Sequence, residues 1–302
     1  MNMPHIASRL LNTELLVHPG KAAAVLAGLG GRITGNAIEF DGATPLAHVA
    51  FEGKQRLGTV GDRLGRAIER SGRKPYDVVG NVAVIPIEGS LVHKGAWIDS
   101  NSGDTSYQGI QTQVQAAMRD PQVAGVAFEI DSPGGEVSGA FETADMIAEL
   151  SRVKPTIAIL SDAAYSAGYL LASAARQIVV PETGGAGSIG AVTMHTDISA
   201  AAENAGIKVT IISAGQHKAD GNSYQPLSEE VASQIQSDLE AIRQTFAGRV
   251  AQYRGKRLSF EAAMATEART YRGAEAVKGG LADATGHPAE TFKAFVSALN
   301  RA

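Results

Sequence analysis

Strand-like and helix-like segments alternate from Asn81 onward, which predicts an α/β fold with largely parallel sheets. Three observations carry this. Short apolar runs rich in β-branched residues recur between stretches with helical spacing of apolar positions. Gly and Pro punctuate the joins between them. The first 80 residues are built differently, as a mixed, Gly-punctuated N-terminal arm with Gly28, Gly30, Gly31, Gly35 and Gly42. That arm holds a helical patch at Lys21–Ala27 and a charged run at 62–70, and Pro75 marks its end. The expected organisation is an arm over 1–80, partly helical, a main domain over 81–290, and a helical end and tail over 291–302.

The elements follow in order. Asn81–Ile87 is a strand, and 108–118 a helix stopped by Asp120 and Pro121. Val123–Ile130 is the next strand. The helix over 137–150 has Ala140, Phe141, Ala144, Ile147 and Ala148 on one face. Then come a strand at 156–160, a helix at 167–175, strands at 177–180 and 189–194, a helix at 197–205 and a strand at 207–212. A long amphipathic helix covers 228–253, with Ser228 as its cap and Glu230 among the acids of its first turn.

Composition removes several function classes. A chain of 302 residues can bury a substantial core. Net charge −4 gives no electrostatic footprint for nucleic acid. There is no cysteine, so a thiol nucleophile, disulfides and thiolate metal sites are excluded. No run reaches the roughly 18 apolar residues of a membrane span. The first ten residues lack a basic stretch followed by an apolar core, so the expectation is a cytoplasmic chain without a signal peptide. No His/Asp/Glu cluster has metal-ligand spacing, and neither a metal nor an organic cofactor is implied.

Four segments carry candidate chemistry. Asp131-Ser-Pro-Gly-Gly-Glu136 joins a strand to a helix. It serves as a plain turn, or its glycines let a ligand approach the backbone and offer the Gly135 N–H to an oxyanion. Ser166 sits among small residues at a strand–helix junction. It reads either as a helix cap or as a nucleophile favoured by the helix N-terminus, with the Ala167 N–H as a second oxyanion donor. Lys218 follows the β-rich run 207–212. A lysine can replace histidine as the base for a serine, but a solvated amine has a pKa of about 10.4, so burial would be needed. Otherwise it is an ordinary loop lysine. Thr183–Gly190 is glycine-rich but lacks the Gly-Lys-Ser/Thr ending of a phosphate loop. Its Ser188 could instead orient the Lys218 amine. His195 is an alternative base, which would make a Ser–His–Asp hydrolase. His217 adjoins Lys218, and neighbours on an extended chain point to opposite sides.

Taken in order, Val82–Gly89, Asp131–Gly135, Tyr165–Gly168, Gly187–Gly190, Ser213–Lys218 and Tyr271–Ala276 with Gly280–Asp283 resemble the signal peptide peptidase A family of Ser–Lys peptidases. Within it, Pro4–Ser8 and Ser213–Tyr224 are similar to the capsid (prohead) proteases of tailed phages. The resemblance implies a Clp-protease/crotonase-like fold, a homo-oligomer shaped as a ring or dome, Ser166 as nucleophile and Lys218 as general base. It further implies oxyanion donors at Gly135 and Ala167, with Ser188 bonded to the lysine. Ala167 departs from the glycine often found there, but a backbone donor survives the change. The implied function is cleavage of scaffold, portal or capsid precursors in an assembling phage head. A cellular relative acting on peptides, or a non-catalytic assembly protein with the same fold, are the alternatives.

Overall fold

The computed structural model describes residues 13–18, 70–95, 100–101 and 103–301. The helical patch at Lys21–Ala27 lies outside them. The strands are β1 (Leu15–Val17), β2 (Asp77–Val79), β3 (Val82–Val92), β4 (Ser100–Asn101), β5 (Asp104–Ser106) and β6 (Gly125–Glu136). They continue as β7 (Thr156–Tyr165), β8 (Gln177–Val180), β9 (Gly185–Gly187), β10 (Thr270–Arg272) and β11 (Ala284–Thr285). The helices are α1 (Tyr107–Arg119), α2 (Ala140–Val153), α3 (Ala167–Ser173), α4 (Ser199–Asn204), α5 (Glu229–Arg254), α6 (Phe260–Ala265), α7 (Gly273–Lys278) and α8 (Pro288–Leu299).

All the strands share one sheet, whose main path runs β10-β9-β7-β6-β3-β5-β4. Its centre is parallel: β3 beside β6, β6 beside β7, and β7 beside both β8 and β9. The expected α/β architecture with mostly parallel strands is therefore present. β1 and β2, both inside the segment read as an arm, are also strands of this sheet.

Central strands buried on both faces read as continuous apolar runs. Along β6, Val126, Phe128 and Ile130 enter the main core, while Ala127 faces the other side. Along β7, Ala158 and Leu160 take the main core, and Ile157 and Ile159 the other. The main core is closed by α1, α2, α3 and the C-terminal half of α5, through residues such as Ile110, Ile147, Leu170 and Phe246. The opposite face is covered by α8, through Phe292, Phe295, Val296 and Leu299. Ser106 caps α1, its hydroxyl accepting from the Gly109 N–H at 3.0 Å. Ser228 caps α5 as expected, accepting from the Val231 N–H, with Glu229 and Glu230 in the first turn.

Three expectations need correction. Residues 131–136 are not a strand-to-helix turn but the extended end of β6, and α2 starts only at Ala140. Residues 189–194 form no strand beyond an isolated bridge at Val192; the strand here is β9, which ends at Gly187. Residues 207–212 form no strand, and Ile207, Val209 and Ile212 are exposed. A β-rich sequence becomes a strand only beside another edge, and no described residues offer this run one.

Candidate active site

Ser166 is the single residue between β7 and α3. Its backbone lies at φ 52°, ψ −119°, a conformation that costs a residue with a Cβ about 1–3 kcal/mol. The surroundings hold it there. Its N–H donates to the Gly187 carbonyl at 2.8 Å, and its carbonyl accepts from the Leu170 N–H at 2.9 Å. Strand, strained serine and helix follow one another in a sharp elbow, a geometry that can present a side chain at the end of a sheet. The serine is fully buried, and its hydroxyl has no hydrogen-bond partner among the described residues. Its side chain therefore does not cap α3, which removes the helix-cap reading.

Beside it runs the end of β6. The Ser132 hydroxyl donates to the Gly89 carbonyl at 2.7 Å and accepts from the Gly134 N–H at 3.2 Å, which pins β6 to β3. Gly134 has φ 102°, and a Cβ there would lie 3.0 Å from the Ser166 Cβ. A Cβ on Gly135 would lie 1.9 Å from the Leu91 carbonyl oxygen. Only glycines fit at these two positions. Ala167, the first residue of α3, has an N–H without an intrahelical acceptor.

The structure brings Ser166, Gly134 and Ala167 together, with Gly135 next along β6. It does not bring Lys218 to them. Lys218 is exposed in a turn, its N–H donating to the Gly215 carbonyl, and no side-chain bond ties it to Ser166 or Ser188 among the described residues. Ser188 is buried with φ 59°, held by its N–H bond to the Arg269 carbonyl. His195 does not contact Ser166 either; its Nε2 lies 3.0 Å from the Asn222 carbonyl oxygen. His217 pairs with Asp220 at 2.9 Å. Burial pushes the Tyr165 phenol up, with Arg272 opposing.

One participant escaped the sequence reading. β1 lies antiparallel along the end of β6, with Leu16 opposite Gly135 and Val17 opposite Gly134. Leu15-Leu16-Val17 between Glu14 and His18 has strand character, but nothing local tells which edge it meets. Among the described residues no group of His, Asp and Glu could hold a metal ion, and no helix is long and apolar enough to cross a membrane.

The model of Peptidase family S49 matches residues 148–299, half of the chain. The chain belongs to Peptidase family S49. The matched S49 region contains Ser166, Ala167, Ser188 and Lys218, while Gly135 precedes it. The chain is 39% identical to capsid assembly protease C of Escherichia phage lambda, over 93% of its own length and 63% of that protein. It is 36% identical to the head-tail preconnector protein GP5 of Enterobacteria phage P21, over 99% of its own length and 58% of that protein. It thus spans about three fifths of these two relatives. Among solved structures, a ClpP1 mutant from Listeria monocytogenes aligns with 67% of this S49 chain and 90% of its own, at 14% identity and a TM-score of 0.39.

Proposed function

We propose that the chain is a serine endopeptidase that cuts scaffold, portal or capsid precursors while a phage head matures. The observation that carries this is Ser166: strained, buried and without a hydroxyl partner among the described residues, at a strand–helix elbow beside Gly134 and Gly135. The names of the two phage relatives, a capsid assembly protease and a head-tail preconnector protein, support head proteins as the substrate class.

In this reading Lys218 Nζ takes the Ser166 hydroxyl proton as Oγ bonds to the scissile carbonyl carbon. The carbonyl electrons move onto its oxygen, which the N–H groups of Gly135 and Ala167 hold. The tetrahedral species expels the amine, which takes the proton from Lys218, and leaves an ester on Ser166. Water, deprotonated by Lys218, attacks the ester and frees the acid and the serine. Ser188 orients the lysine. No metal or organic cofactor takes part.

Lys218 lies on the exposed stretch that carries Ile207, Val209 and Ile212. Homo-oligomer formation gives this apolar stretch a packing partner and orders the lysine at a serine. The working enzyme is therefore an assembly, acting in the host cytoplasm or the procapsid it matures.

The test is co-expression with phage head-precursor proteins, comparing wild type, Ser166→Ala and Lys218→Ala by intact mass. Specific cleavage lost in both variants, by about 10⁴-fold or more, is the expected result. Loss with Ser166→Ala alone would transfer the base role to His195. Identical masses in all three would overturn the peptidase reading.

A further inference from the structure

β1 is held on both edges. On one side the Leu15 N–H donates to the Val192 carbonyl and the Val192 N–H donates back to the Leu15 carbonyl, both at 2.9 Å. On the other, the His18 N–H donates to the Pro133 carbonyl at 2.8 Å. Bonded pairs alternate along an antiparallel ladder. His18 with Pro133 sets the phase, so Leu16 with Gly135 is the next bonded pair. The Gly135 N–H, an oxyanion donor in the proposed mechanism, is therefore directed at the Leu16 carbonyl.

A second observation places the same carbonyl at the serine. A Cβ built on Gly134 would lie 2.1 Å from the Leu16 oxygen and 3.0 Å from the Ser166 Cβ. Leu16 is fully buried, and so is Ser166 beneath this cover. An extended strand bonded on both edges, with one carbonyl at an oxyanion donor beside a serine, is the arrangement of a bound peptide substrate.

We infer that the cleft between the end of β6 and Val192 is the substrate groove, that it takes an extended peptide with a leucine-sized apolar residue at the Leu16 position, and that the chain's own Leu15–Val17 fills it as a competitor. This rests on the peptidase reading. Leu16 then occupies the place of the residue whose carbonyl is attacked. The strand stays uncut in this state because Lys218 does not reach Ser166. Substrate enters only when β1 leaves, and a segment tethered in cis competes at an effective concentration of order mM.

The test uses the full chain and a fluorescein-labelled hexapeptide with the sequence of residues 13–18, followed by anisotropy. Leu16→Glu expels β1, because a carboxylate does not replace a fully buried leucine. The peptide should bind this variant about 10²-fold more tightly than wild type, and a peptide carrying Glu at the Leu16 position should not bind. If Leu16→Glu loses its native circular dichroism, Leu15→Pro replaces it, since proline deletes the N–H donated to Val192. Equal affinity for wild type and the folded variant overturns the inference. Hydrolysis of dye-labelled β-casein is read separately. Tight binding without Ser166-dependent hydrolysis would leave the groove standing and sink the peptidase reading.

Discussion

Ser166 combines two destabilising features, a strained backbone and a buried hydroxyl with no partner among the described residues. Such features persist where the surroundings over-determine them, and they concentrate at functional sites. Ser166→Gly should relieve both, raising stability by about 1 kcal/mol and the melting temperature by a few degrees, while abolishing cleavage. A melting temperature at or below wild type would mean the strain is not real. Gly134→Ala adds a Cβ into the Leu16 carbonyl and the Ser166 side chain at a position with φ 102°. It should lower stability by about 1–3 kcal/mol and reduce cleavage, both readable from thermal melts and a peptide assay. The place of Ser166 at a strand–helix junction was legible because small residues between an apolar run and a helical run are a local signal. The buried, unpartnered state of its hydroxyl was not, since it depends on β1, about 150 residues earlier in the chain.

At the scale of elements, α3 is held from behind by the C-terminal half of α5 and the segment before β11. The Tyr169 hydroxyl donates to the Leu281 carbonyl at 3.0 Å. The Arg254 guanidinium, fully buried, bonds both Asp283 oxygens at 2.9 Å and the Gly280 carbonyl. Arg257 adds a contact to Asp283 at 3.0 Å. Burial pushes the Asp283 carboxyl up, but the Arg254 bond and charge, the Ile178 N–H and Arg257 outweigh it and hold it below the usual carboxylate range. A depressed carboxylate contributes stability that is complete above its unfolded pKa, about 3.9, and is lost as pH falls through its folded value. Asp283→Asn should therefore flatten the fall in melting temperature on acidification below about pH 4. Asp283→Ala strands a buried cation and should cost about 3–5 kcal/mol in denaturant unfolding at neutral pH. Most elements were legible: α1, α2 and α5 have clear helical spacing, and β6 and β7 are continuous apolar runs. Residues 207–212 were misread because β-branched composition signals a strand whether or not an edge is available to pair with it.

At the scale of the whole molecule, Ile212 is 92% exposed, and the N-terminal half of α5 buries no side chain fully. Isolated exposed apolar residues are ordinary, but here they lie on the stretch that carries Lys218, the base of the proposed mechanism. Ile212→Asp should shift the protein toward smaller species in light scattering and lower cleavage at least about tenfold, with the monomer's circular dichroism unchanged. Full activity from a particle of unchanged size would remove this stretch from the proposed interface.

The sequence by itself determined the α/β class, most helices and central strands, the serine at the strand–helix junction, and the glycines beside it. These depend on periodicity and turn chemistry within about fifteen residues of chain. Only the tertiary structure decided that 131–136 continues a strand, that Leu15–Val17 lies across the serine, and that Lys218 stands apart from it. Each of these depends on which distant edge a segment meets, and hydrogen-bond partners between remote strands leave no mark in local pattern.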